Sequence, residues 1–194
     1  MWKISQSLYS LCLLAAAAVG LGDPPHPAEA SRLPTQEAAT APSSPVPKDI
    51  NGCHGLASPF YRYWNKDTSD RYYTTNFDDI GYGRYGYVLE GEAGKLVDSS
   101  FKSCGAVELY HYYNKASSIN YYTTDWSQFG YGDQGWIYQN TSGYCFGSAV
   151  TGTVPLYHYW NQKNNRHLYT TNYNELGTGG YDYGLTGIQC YVVP

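Results

Sequence analysis

Beyond Cys53, large apolar side chains alternate with polar ones at two-residue spacing, and the same alternation returns three times. The segment FYRYWN at 60–65 comes back as LYHYYN at 109–114 and LYHYWN at 156–161. Eight residues beyond each closing Asn stands Tyr73, Tyr122 or Tyr169, opening YTTN at 73–76, YTTD at 122–125 and YTTN at 169–172. Phe77, Trp126 and Tyr173 follow, then Ile80, Phe129 and Leu176, then Gly81, Gly130 and Gly177, all without a gap. Each copy closes on a further apolar segment, at 87–97, 136–146 and 183–193, and the copies start 49 and then 47 residues apart. Period-two alternation rich in aromatic and β-branched residues, punctuated by Gly and Asn, predicts strands. No stretch carries a 3.6-residue period.

One copy reads as four short strands, typified by LYHYWN, HLYTTN, a YDYG segment and IQCYVV, with the NYNEL piece forming one helical turn. Three tandem repeats of about 47 residues, near 60–107, 108–154 and 155–194, predict an all-β domain over 53–194. A pseudo-threefold β-trefoil-like closure removes most exposed strand edges. A compact three-bladed β-propeller is the alternative, because periodicity gives the number of units but not how their strands pair.

The order LYxYWN, polar turn, YTTN, Gly-rich stretch and closing strand resembles a family of domains of unknown function with Tyr-rich repeats of the type PLYRYYN, DHFYTT and YEGIAGYV. The resemblance covers about residues 55–194. It implies a secreted or cell-surface protein and an accessory binding role, since such domains also occur attached to glycan- or wall-degrading enzymes. The chain departs from that pattern at the Asp-His pair before YTT, where it carries Asp70-Arg71, Ile119-Asn120 and Arg166-His167. A site built on this pair therefore differs among the three copies.

The N-terminus has a different character. Lys3 and the apolar run from Leu8 to Val19 read as a secretory signal over 1–22, too short to span a bilayer. Cleavage after Ala18-Val19-Gly20 or after Ala28-Glu29-Ala30 fits the small-residue requirement. Residues 23–52 read as a disordered Pro/Ala/Ser-rich linker, since residues 23–50 hold seven of the ten prolines and few large apolar groups. No other segment is long and apolar enough to cross a membrane, so an extracellular location is expected.

Four cysteines remain once Cys12 leaves with the signal, an even number suited to an oxidising compartment. Three pairings are possible. Threefold closure brings the ends of the domain together and so favours Cys53–Cys190 with Cys104–Cys145. A net charge of -4 disfavours nucleic acid as a partner. With 23 tyrosines in the chain, an aromatic core with a polar network of its own is expected.

Catalytic motifs are missing: there is no nucleophile elbow, HExxH, phosphate loop or EF-hand loop. His54, His111, His158 and His167 lack metal-ligand spacing, so neither metal nor cofactor is expected. Asp70, Asp79, Glu90 and Glu175 do not recur at matching positions, so the chain is read as non-enzymatic. Binding has better support. In each first strand Tyr61 and Tyr63, or their counterparts, fall on one face and Trp64, Tyr113 or Trp160 on the other. The second set forms three flat platforms for the apolar face of a sugar, with Asp70, Arg71, Asn120, Arg166 and His167 as polar neighbours. Glycans or glycoproteins are thus the expected partners, at up to three sites. A structural or adhesive matrix protein using its tyrosines is the alternative. Asn65, Asn114 and Asn161 are read as turn formers, and Asn140 as a candidate glycosylation site.

Overall fold

A computed structural model of the chain describes residues 43–50 and 52–194. The expected signal segment and most of the expected linker lie outside the described residues. Among those described, the chain is all-β, with twelve strands joined in one sheet that curls into a half-barrel. They are β1 (Val46–Ile50), β2 (Cys53–Asn65), β3 (Asp70–Thr74), β4 (Gly83–Arg84), β5 (Tyr87–Val97) and β6 (Ala106–Asn114). Then come β7 (Ile119–Thr123), β8 (Trp136–Phe146), β9 (Val154–Asn161), β10 (Arg166–Thr170), β11 (Gly179–Gly180) and β12 (Tyr183–Val192).

Eleven of the strands fall into three antiparallel groups, β3-β2-β5-β4, β7-β6-β8 and β10-β9-β12-β11, and β1 pairs with β2. The groups meet through single pairs near their ends, Val97 with Tyr144, Phe146 with Tyr191 and Lys95 with Val193. In each hairpin the Asn ending the first strand makes the turn. Asn65 Oδ1 accepts from the amides of Asp67 and Thr68, Asn114 Oδ1 from Ala116 and Ser117, and Asn161 Oδ1 from Lys163 and Asn164.

The YTTN segments divide their work by residue. The first Thr accepts from the amide of the following Asn or Asp, at 3.0–3.1 Å from Thr74, Thr123 and Thr170. That Asn or Asp, at 76, 125 or 172, caps a single 3-10 turn at Phe77–Asp79, Trp126–Gln128 or Tyr173–Glu175. Gly81, Gly130 and Gly177 then leave the turn at positive φ, where a Cβ is disfavoured.

Tyr73, Tyr122 and Tyr169 meet at the centre, fully buried and edge-to-face at 5.3–5.6 Å. Each hydroxyl donates to the backbone carbonyl of another member and accepts from the same residue's amide. Tyr73 bonds Tyr169, Tyr169 bonds Tyr122 and Tyr122 bonds Tyr73, at 2.8–3.0 Å. Three buried hydroxyls thereby satisfy three buried strand segments. Phe60, Leu109 and Leu156 pack around this centre. The first-strand pair behaves as its alternation predicts: Tyr61 and Tyr63 are buried and Trp64 is half-exposed.

Two expectations change. The end of the linker segment forms β1, paired along β2, because Ile50 buries against Ala57, Val97 and Phe101. The disulfides are Cys53–Cys104 and Cys145–Cys190, not Cys53–Cys190 and Cys104–Cys145, with Cα separations of 6.2 and 6.0 Å. The ends of the domain do approach, but Cys190 lies in β12 where that strand meets β8, which carries Cys145. Cys104 ends a 3-10 helix, Ser99–Cys104, whose Ser100 hydroxyl bonds the carbonyl of His54 beside Cys53.

Candidate functional site

Each group presents a polar pair to its neighbour, one residue from its first strand and one from its second: Arg62 with Arg71, His111 with Asn120, His158 with His167. These pairs face three clefts between groups, and the clefts differ.

The cleft between the first and third groups is filled with charge. Arg62 Nε lies 3.1 Å from Glu90 and its Nη1 3.0 Å from Glu175, while Arg71 Nε lies 3.0 Å from Glu90. Arg71 also donates to the Tyr183 hydroxyl at 3.2 Å. Burial disfavours the charged form of Glu175, but Arg62 outweighs it and holds the carboxyl below the usual range.

A hydrogen-bond network closes the cleft between the first and second groups. Asn120 Nδ2 donates to Asp70 at 2.6 Å, and its Oδ1 stands 2.8 Å from His111 Nε2, which must carry the proton. The Tyr87 hydroxyl donates to Asp70 at 2.9 Å. Burial raises the Asp70 pKa even though Asn120 and Tyr87 stabilise its charged form.

The cleft between the second and third groups is open. It forms a pocket of about 550 Å³, within the range of small-molecule sites, walled by Tyr121, Phe129 and Trp136 from one side and Trp160 and Ile188 from the other. His158 Nε2 and His167 Nδ1 lie 3.0 Å apart. Thr186 Oγ1 sits 2.8 Å from His158 Nδ1 and equally close to the His158 carbonyl. The Thr186 hydroxyl donates to the His158 carbonyl and so accepts from His158 Nδ1; His158 Nε2 then accepts from His167 Nδ1, which leaves His167 Nε2 as an acceptor. His158 stacks on Tyr169 at 4.6 Å. Burial lowers the pKa of His158 to about 4 and that of His167 to about 3, the latter also through His158 and Arg166, so both are neutral at neutral pH.

Of the residues singled out from sequence, Trp160 and His167 line this pocket. Trp160 is 36% exposed and its Nε1 donates to Asn165 at 2.9 Å. Trp64 lines a separate groove of about 390 Å³ with Lys66, Arg84 and Tyr87, and Tyr113 is half-buried beside the closed second cleft. Asp70, Arg71 and Asn120 are consumed by the networks just described. Arg166 spends its guanidinium on the carbonyls of Thr68, Ser117 and Asn165. Asn140 is exposed in β8. Asp79 accepts from Tyr72, Thr74 and Asn76.

Sequence reading missed Tyr121, Trp136, His158 and Thr186 as pocket residues. One signal was there: antiparallel pairing about the turn at 162–165 places 158 and 167 diagonally on one face. Which neighbouring group faces them was not written in the local sequence.

The class these features define is an all-β, disulfide-bonded domain with a neutral, aromatic-walled pocket between neighbouring strand groups. The chain belongs to the family described as domain of unknown function (DUF5648), which matches residues 56–193. Searches of curated proteins and of solved structures returned no match.

Proposed function

We propose that the protein is a secreted, non-enzymatic, lectin-like module that binds glycans in the pocket between its second and third strand groups. The observation that carries this reading is an open pocket combining Trp160, Trp136 and Tyr121 with a few placed polar groups, His167, Thr186, Gln128 and Gln189. Aromatic faces take the apolar side of a pyranose, while fixed donors and acceptors select its hydroxyls. The lining carries no carboxylate, so it lacks the acid pair of glycoside hydrolysis. Two disulfides suit the oxidising route that a secreted protein follows, and no described helix is long and apolar enough to cross a membrane.

The same proposal extends to architecture. The hydroxyl cycle of Tyr73, Tyr122 and Tyr169 supports a pseudo-threefold axis. Backbone pairing between groups that is limited to single pairs near strand ends favours compact blades, the three-bladed alternative, over a trefoil barrel.

A glycan array probed with wild type and with Trp160→Ala tests the function. Trp160 is exposed enough that the variant should melt within a few degrees of wild type, and it should lose the bound signal. A folded wild type that binds no glycan on the array rejects the reading. In a eukaryotic host Asn140 is proposed to carry a glycan, visible as a mass loss on glycosidase treatment.

The adhesive alternative draws on exposed loop tyrosines, of which Tyr131 is 85% accessible. Surface adsorption retained in Trp160→Ala and lost when Tyr82, Tyr85, Tyr131 and Tyr181 are changed to Ser would favour it.

A further inference from the structure

The three clefts are built from the same strand positions, so their differences show what each can accept. Entry into the first requires separating Arg62 and Arg71 from Glu90 and Glu175, ion pairs whose side chains are only 12–21% exposed. Entry into the second requires breaking Asp70 from Asn120 and Tyr87. Removing one partner of a buried charge leaves the other uncompensated, at a large energetic cost. The third cleft is open without any such rupture, and its lining contains no Asp, Glu, Lys or Arg.

We propose that the cleft between the second and third groups is the single saccharide site of the molecule, and that its occupant is an uncharged sugar. This rests on the glycan-binding reading above. A carboxylated or sulfated sugar entering the pocket would lose water and find no cation in return. The guanidinium of Arg166, next to His167 in the chain, is held by three backbone carbonyls. Neither histidine supplies the charge, because each is desolvated and a second imidazole stands 3.0 Å away. An uncharged sugar needs only dipoles, and the chain from Thr186 through His158 to His167 leaves His167 Nε2 as an acceptor for a sugar hydroxyl. The groove beside Trp64 has another chemistry, with Lys66, Asp67 and Arg84 on its walls.

The test uses the folded domain labelled with ¹⁵N, following its tryptophan indole N–H signals, assigned by Trp→Phe variants. Cellotriose, xylotriose, triacetylchitotriose and trigalacturonate are titrated at neutral pH, with stoichiometry taken from calorimetry. At least one uncharged trimer should shift the Trp160 and Trp136 signals, leave Trp64 unmoved and bind one per chain. Trigalacturonate should bind more than about tenfold more weakly. Ile188→Arg, which adds a cation at a rim position 46% exposed, should narrow that gap. Acidic and uncharged trimers of equal affinity at the same signals would overturn the uncharged class while leaving a glycan site. Two or more sites per chain, or a moving Trp64 signal, would overturn the single site. Binding by none of the four would retire the glycan reading and this inference with it.

Discussion

The hydroxyl of Tyr122 has two buried partners, the carbonyl and the amide of Tyr73, whereas that of Tyr63 is buried with no hydrogen-bond partner. The same Tyr→Phe change should therefore have very unequal consequences at these two positions. Tyr122→Phe strands two backbone groups at the centre and should cost about 2 to 4 kcal/mol, while Tyr63→Phe removes an unsatisfied hydroxyl and should cost about 0.5 kcal/mol or less. Urea denaturation of both variants measures this, and equal losses would contradict it. Histidines give a second prediction at this scale. Burial lowers the pKa of His111 to about 4, as it lowers those of His158 and His167, from an ordinary value of 6.5. Such a group binds fewer protons folded than unfolded, so its stabilising effect is complete above 6.5 and is lost as pH falls from there toward 4. Asp70, with its pKa raised, has the opposite sign and gains in acid. The melting temperature should fall steeply across that window because the three histidines outweigh Asp70, and replacing His111 and His158 by Gln should flatten the profile.

At the scale of elements, each YTTN segment is a strand end, a central pin and a turn cap in four residues, which is why it tolerates so little change among the copies. The disulfides add covalent ties in different places. Cys145–Cys190 clamps β8 to β12, and Cys53–Cys104 fastens the helix Ser99–Cys104 to the start of β2. Peptide mapping without reduction should recover these two pairs alone. The linked residues are 51 and 45 apart, so in the chain-entropy model each bond stabilises by about 4 kcal/mol. Paired Cys→Ser variants should lower stability by comparable amounts. A loss confined to one pair would show that native-state packing, not loop closure, sets the effect.

For the whole molecule, the closed clefts hold the strand groups together and the open one is free for a ligand. Arg62 joins Glu90 of its own group to Glu175 of the third. Arg62→Ala leaves the half-buried Glu175 without its ion-pair partner and should cost roughly 1 to 3 kcal/mol, between the exposed and fully buried cases. Calorimetric melting measures this loss. If the pocket lies in the other cleft, as proposed, the variant's saccharide affinity at a temperature where it remains folded should be unchanged.

Much of this protein follows from its sequence. Alternation and in-phase motifs determine the strands, the Asn turns and the capped turns after YTTN, because these depend on contacts within a few residues. They also place Tyr63 inward and Trp64 outward, since successive strand residues face opposite sides. Other features depend on which distant segments become neighbours. Val46–Ile50 reads as linker until β2 gives its backbone a partner. Cys190 is drawn to Cys145 by the meeting of β12 with β8, which no local pattern announces. The candidate site is divided in the same way. Trp160 and His167 are legible as an aromatic and a polar residue at repeated positions, but Asn120 and Arg166, marked by the same logic, are consumed by partners about 50 to 100 positions away. Equivalent positions in the chain became unequal in space because each cleft is completed by a neighbouring group, and the side chains which that neighbour contributes determine whether it closes or stays open.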